Sequence, residues 1–162
     1  MVKWGDQAGG LAGHPRMILN ISASPYWQGK PQVRQKMLAA LAERHGACVA
    51  MVNQVGGNDG LVFDGSSLVI GPKGSVVARG ASFAEDLVIF DTEAADEIRP
   101  SNDSALDEVE EVWKALVLGT RDYVRKCGFS KAVVGLSGGI DSALVAAIAV
   151  EAHLAALRLA QP

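Results

Sequence analysis

Six consecutive residues, Ser137-Gly138-Gly139-Ile140-Asp141-Ser142, follow directly on the apolar run 132–136 (AVVGL) and lead into an apolar stretch from Ala143 onward. Strand, glycine turn and helix in immediate succession form the half-unit of an open α/β nucleotide-binding sheet. Such a sheet takes anions beyond the carboxyl end of the strand, where the first N–H groups of the helix and its dipole point outward. Gly138 and Gly139 carry no Cβ, so a ligand can approach the backbone, and Ser137 and Ser142 add hydroxyl donors. Asp141 is out of place beside an anion unless a magnesium ion stands between its carboxylate and the phosphates. The plainer alternative makes Asp141 or Ser142 a helix cap beside a glycine turn. With Gly and Ser each near 7% of average usage, five fixed residues in six recur by chance on the order of once per million positions. The loop lacks the lysine of GxxxxGK[ST], so its ATP chemistry is of a different kind.

The rest of the chain reads as two pieces. Residues 99–103 (RPSND) form an acidic, turn-forming stretch between two apolar halves. Upstream, residues 17–22 (MILNIS) read as a buried strand running into a Ser-Ala-Ser-Pro corner. Val33, Met37, Leu38 and Leu41 recur at helical spacing over residues 32–45, between Pro31 as start and Gly46 as stop. Residues 48–55 (CVAMVNQV) predict a strand covered on both faces, followed by an irregular Gly-Gly-Asn-Asp-Gly turn. Runs 66–70 and 75–79 flank Gly71-Pro72-Lys73-Gly74 as a hairpin, and residues 87–91 predict a further strand. Downstream, Asp103 or Ser104 is placed to cap a helix whose stripe is Val109, Val112, Trp113, Leu116, Val117, Thr120 and Val124.

Composition excludes several functions. A net charge of −3, with 15 Lys and Arg scattered along the chain, provides no basic field for nucleic acid. Cys48 and Cys127 lack any CxxC or Cys/His spacing, so neither a disulfide framework nor a zinc site is expected. The longest apolar run is broken by Glu151, His153 and Arg158, no secretory leader precedes it, and a cytoplasmic chain without a membrane span is expected. Cys48 opens an apolar strand and reads as a small core hydrophobe, and Cys127 as structural. His14, His45 and His153 share no ligand or relay spacing.

The SGGxDS loop resembles the pyrophosphate loop of the ATP pyrophosphatases, which transfer AMP to an acid or amide oxygen and displace it with a nitrogen or sulfur nucleophile. The first half narrows the choice. Residues 20–26 (NISASPY), Gly29-Lys30, residues 52–57 (VNQVGG) and residues 63–67 (FDGSS), in this order, resemble the closing part of the nitrilase-like glutaminase domain of bacterial glutamine-dependent NAD synthetases. The resemblance covers about residues 17 to 152. It implies an α/β chain: the end of a nitrilase-like α-β-β-α sandwich over residues 1–98, then over residues 99–162 a linker helix and the first β-loop-α unit of a Rossmann-like domain.

The parent reaction it implies is ATP- and magnesium-dependent amidation of deamido-NAD to NAD, through an adenylylated carboxylate and with ammonia from glutamine. By the resemblance, Gly135, Leu136, Ser137, Gly138, Gly139, Ile140, Asp141 and Ser142 bind ATP, and Asp141 faces the metal. Ser24, at a strand end, and Lys30, six residues later, contact glutamine. The family's Glu, Lys and Cys triad lies upstream of the matched region, so no catalytic residue is assigned and the chain alone is expected to be inactive. Its sequence is expected to leave the family pattern after Glu151. Small-molecule substrates and a homo-oligomeric parent are further expectations. The alternatives are an inactive remnant or a tRNA-thiolating ATP pyrophosphatase.

Overall fold

The computed structural model describes residues 15–92, 106–152 and the backbone of 157–160. The junction at residues 98 and 99, the candidate caps Asp103 and Ser104, and His14 and His153 lie outside them.

Strand β1 (Met17–Ser22) crosses through helix α1 (Lys30–His45) to strand β2 (Cys48–Asn53), which it pairs in parallel from Met17↔Cys48 to Ser22↔Asn53. Pro31 sits in the first turn of α1, where the N–H it lacks has no partner to lose. Gly46 ends the helix in the left-handed region at φ 57, its N–H returning to the Ala42 and Glu43 carbonyls. The buried face of α1 is Arg34, Leu38 and Ala42, with Leu38 and Ala42 packed on Val49, Met51, Leu68 and Ile70. The expected stripe is therefore rotated: Val33 and Met37 stand at the surface. Arg34 is drawn inward to a buried carboxylate, Asp64, and that contact sets the helix rotation.

Two antiparallel strands, β5 (Leu68–Ile70) and β6 (Val76–Arg79), complete a sheet ordered β1-β2-β5-β6. Between them Gly71 N–H donates to the Ser75 carbonyl at 2.8 Å, closing the expected hairpin. The stretch expected as an irregular turn is instead a second hairpin, β3 (Val55–Asn58) with β4 (Leu61–Asp64). Gly56 and Gly57 lower the strand propensity of that segment, and tertiary contacts described below override it. The first strand, expected to be buried, is an edge with Leu19 and Ile21 exposed on one face. Residues 87–91 form no strand. The Asp86 carboxylate accepts the N–H groups of Ala81 and Leu87, turning the chain so that Leu87 and Ile89 face outward. Phe90 packs back onto Ala50, Val69 and Val77, and Val88, half-buried, lies against Gly80.

Helix α2 (Glu108–Lys126) is capped by Asp107, whose carboxylate accepts from the Glu110 N–H at 2.8 Å. Glu108, Glu110 and Glu111 in its first turn and Arg125 and Lys126 in its last complement the helix dipole. Of the expected stripe Val117 is buried and Val112 and Trp113 are half-buried, but the contacts to the first unit fall beside it. Ala115 and Leu118 pack with Phe83, Tyr26, Val55 and Val62 of the first unit, while Val109 and Leu116 are exposed. Trp113 reaches helix α3 (Ile140–Glu151), its indole N–H donating to Glu151 at 2.8 Å. Strand β7 (Ala132–Gly135) precedes α3 and pairs in parallel with strand β8 (Leu157–Ala160), making a βαβ unit. Its Val133 is 67% exposed, so β7 is half-covered where a buried strand was expected. Among the described residues no helix is long and apolar enough to cross a membrane.

Leu38 is 1% exposed at the centre of the first core. Leu38→Ala is expected to destabilise the chain by roughly 2–5 kcal/mol in urea unfolding, through lost transfer energy and a residual cavity. A change below 1 kcal/mol, about the cost of an exposed helix position, would contradict this core assignment.

Candidate functional site

Two loops carry the residues singled out from the sequence, and they are built in opposite ways. Residues 135–142 form an open loop. β7 ends at Gly135, Gly138 turns the chain at φ 83, and Gly139, at φ −86 and ψ 161, is the N-cap of α3. Gly139 leaves the first-turn N–H groups with no side-chain cap. Asp141 and Ser142 lie inside the first turn, which sets aside the alternative that either acts as the cap. Ser142 Oγ instead stitches the loop to itself, donating to the Gly139 carbonyl at 2.9 Å and accepting the Ser137 N–H at 3.3 Å. The two serine hydroxyls stand 3.2 Å apart. A Cβ placed on Gly135 or Gly138 would meet nothing within 4 Å, and one on Gly139 would meet only Ser137 Oγ, at 3.6 Å. The backbone is thus open on the side an anion would approach.

This loop fits a phosphate group: uncapped helix N–H groups, two hydroxyls and bare glycine backbone converge at the end of a parallel strand. For magnesium the fit is partial in a characteristic way. No three His, Cys, Asp or Glu converge on a metal-sized site among the described residues, so Asp141 would supply one ligand. Phosphate oxygens and water would supply the others, as is usual for this ion.

The second loop, residues 22–30, is locked. Ser24 N–H donates to Asn53 Oδ1 at 2.8 Å, and Asn53 Nδ2 reaches the Ser24, Gly65 and Asp64 oxygens at 3.4, 3.0 and 3.4 Å. Asp64, fully buried, receives both Arg34 Nη atoms, Nη1 at 3.0 Å to Oδ1 and Nη2 on Oδ2. Lys30 Nζ donates to the Pro25 carbonyl at 2.6 Å and closes the loop on itself. Burial lowers the Lys30 pKa first and the Arg34 charge adds to it, while Asp64 opposes both. Tyr26 donates its N–H to Val62 O at 2.7 Å and sets its ring edge-on to Phe83 at 5.2 Å. Its hydroxyl lies 3.5 Å from Glu111 Oε2 on α2. Burial, reinforced by the Glu111 charge, pushes the Tyr26 phenol up to about 12. Glu111, itself buried, is pushed up by desolvation and then by Asp64.

Ser24 and Lys30 therefore share one loop, and residues 135–142 share another. Asn53, Asp64, Arg34, Tyr26 and Glu111, which hold the first loop, were not singled out as site residues. Their signal is faint: single polar groups inside apolar runs such as CVAMVN and LVFD, where an unpaired group would be costly. Cys48, 3% exposed in β2, is the core residue expected, whereas Cys127 is the exposed C-cap of α2.

The carbon-nitrogen hydrolase family model matches residues 13–98, and the NAD synthase model matches residues 112–160. The second match continues past Glu151, where departure from the family was expected, and includes β8. A glutamine-dependent NAD(+) synthetase of Synechocystis sp. is 48% identical over 84% of this chain and 25% of its own length. Its counterpart in Acinetobacter baylyi is 45% identical over 83% and 25%. Among solved structures, the glutamine-dependent NAD+ synthetase of Acinetobacter baumannii in complex with ADP superposes with a TM-score of 0.83 at 42% identity. It covers 90% of this chain and 28% of that one. That from Cytophaga hutchinsonii superposes with a TM-score of 0.72 at 28% identity, covering 85% and 22%. These matches lend no support to a tRNA-thiolating enzyme or an inactive remnant. With a carbon-nitrogen hydrolase segment over more than half its length and a NAD synthase segment after it, the chain belongs to the glutamine-dependent NAD(+) synthetase family, spanning about a quarter of the curated relatives it matches.

Proposed function

We propose that this chain contributes the pyrophosphate-gripping loop and part of the glutamine-binding wall to an ATP-dependent amidation of deamido-NAD to NAD. The observation that carries this reading is the uncapped amino end of α3, preceded by Gly138 at φ 83 with open space on its Cα. ADP bound to the Acinetobacter baumannii relative agrees with it. Backbone N–H groups at Gly139 to Ser142 and the hydroxyls of Ser137 and Ser142 would hold phosphate oxygens as negative charge moves onto departing pyrophosphate. Magnesium held by Asp141 and those oxygens would supply charge neutralisation there. Having no lysine, the loop suits gripping a leaving pyrophosphate rather than handing on a terminal phosphoryl group.

In the first unit, Ser24 and Lys30 would meet glutamine. An ammonium has three donors and Pro25 takes one, which leaves two for a substrate carboxylate or amide oxygen. The reading divides the chain into a glutaminase part over residues 1–98 and a synthetase part over residues 99–162, within a cytoplasmic homo-oligomer acting on small molecules. Cys48, packed in β2, is not placed to act as the nucleophile of glutamine hydrolysis.

Calorimetry on the purified chain tests the loop. Magnesium-ATP or magnesium-pyrophosphate is expected to bind, EDTA to abolish the signal, and Gly139→Val or Asp141→Ala to weaken binding by roughly tenfold or more, about 1.4 kcal/mol. Gly139 has an ordinary φ, so the valine fills the cradle without the strain that a side chain at Gly138 would bring. Binding unchanged in both variants would remove the loop as the nucleotide site. Incubation with glutamine is expected to release ammonia only at background. Release above it that Cys48→Ala abolished would show the assignment of Cys48 to the core to be wrong.

A further inference from the structure

Helix α2 joins the two loops, and its contact face is not its apolar face. Glu108, Glu111, Ala115, Leu118, Gly119, Asp122 and Lys126 fall within an arc of about 100° on a 3.6-residue helix. Along this stripe the helix meets the first unit from end to end. Glu108 Oε2 accepts from Gln28 Nε2 at 3.2 Å, and Glu111 Oε2 accepts from the Tyr26 hydroxyl at 3.5 Å. Ala115 and Leu118 pack with Phe83. Further along, a Cβ on Gly57 would lie 3.0 Å from Gly119 Cα, so the strand and helix backbones come this close because Gly57 has none, and a Cβ on Gly119 would meet Val62 Cγ2 at 3.0 Å. Past that crossing Asp122 accepts the Gly57 N–H at 2.8 Å and Lys126 Nζ donates to the Gly57 carbonyl at 2.5 Å.

We propose that α2 is the positioning element of the 22–30 loop, with Glu111 as the positioning residue acting through Tyr26. Asn53 holds the loop from the first unit at Ser24; Glu111 and Glu108 hold it from the second at Tyr26 and Gln28. Between these two holds lies Pro25, whose carbonyl carries the Lys30 ammonium, so the positions of Ser24 and Lys30 depend on both. Glu111 is 5% exposed, and its neighbour Asp64 has its own cation in Arg34. A buried carboxylate without a cation costs stability. Its identified partners are instead the Tyr26 hydroxyl and Gln32, both on the side of the loop and α1. The helix ends at its C-cap Cys127, and the chain turns at Gly128 towards β7, while Trp113 joins α2 to the far end of α3 at Glu151. What the loop is for rests on the reading of Ser24 and Lys30 as glutamine contacts; the link itself does not.

Hydrogen exchange on the full chain, without ligand, tests the link. The amides of Ser24, Tyr26 and Lys30 each have a hydrogen-bond acceptor and report the state of the loop. Glu111→Ala is expected to speed their exchange by about tenfold while the β2 amides of Val49 and Met51 stay as they are. Glu111→Gln keeps an acceptor for Tyr26 and is expected to retain the slow exchange. Asp122→Ala, which frees the Gly57 N–H at the far end of the stripe, is expected to loosen the β3–β4 hairpin and with it Tyr26, whose N–H is held by Val62. Loop exchange unchanged in Glu111→Ala would overturn the proposal. So would a Glu111→Gln variant as loose as Glu111→Ala, or a parallel rise over β2 that marks general destabilisation. Glutamine added to the wild-type chain tests the reading of the loop separately: slower exchange at Ser24 supports it, and no change overturns that reading while the Glu111 result stands.

Discussion

Arg34 and Asp64 meet where neither side chain reaches water, and much of the first unit is arranged around that meeting. Removing one member of such a pair leaves the other charge buried and uncompensated, at a cost of about 3–5 kcal/mol. The pair sets which face of α1 turns to the sheet. It also ends β4 at a fixed point, and it gives Asn53 a carboxylate to lean on while its amide holds Ser24 and Gly65. One salt bridge thus joins α1, β2, β4 and the loop after β1.

On the reading proposed above, the two loops would serve different tasks, and they differ accordingly. A loop that grips pyrophosphate works with its backbone, and the amino end of α3 is accordingly left without a cap. A loop that presents Ser24 and Lys30 works with side chains at set positions, and every second residue from Ser22 to Lys30 has a hydrogen bond to another part of the chain or to the loop itself. Pre-positioned side chains bind at a lower entropic cost than mobile ones, and bare backbone needs no such support.

The strand, Gly-Gly turn and helix around residues 135–142 were legible in the sequence because they are local, lying within a score of residues. The mixed α/β class, α1 with its Pro31 and Gly46 ends, and the β5–β6 hairpin were legible for the same reason. What escaped was set by contacts distant along the chain. Arg34 is 30 residues from Asp64, and Asn53 is 29 from Ser24. Hydrophobic periodicity placed Leu38, Leu41 and Val117 inside but missed the polar residues that share those buried faces: Arg34 on Asp64 for α1, and the Glu111, Asp122 and Lys126 contacts for α2. The β3–β4 hairpin was masked by glycines that a strand alone would disfavour, yet Gly57 is there for the helix that crosses it.

That crossing has a consequence for how freely this family can vary. Asp122 and Lys126 grasp an N–H and a carbonyl, which every residue but proline offers, so these two contacts do not depend on the hairpin's side chains, whereas Val55 and Val62 pack with Ala115 and Leu118 beside them. At the crossing itself the demand for identity falls on Gly57, where a Cβ would lie 3.0 Å from the Gly119 backbone. Drift at exposed positions of the hairpin such as Leu61 can rewrite its surface and leave the joint intact, while a methyl group at Gly57 would crowd the Gly119 backbone and force a local shift.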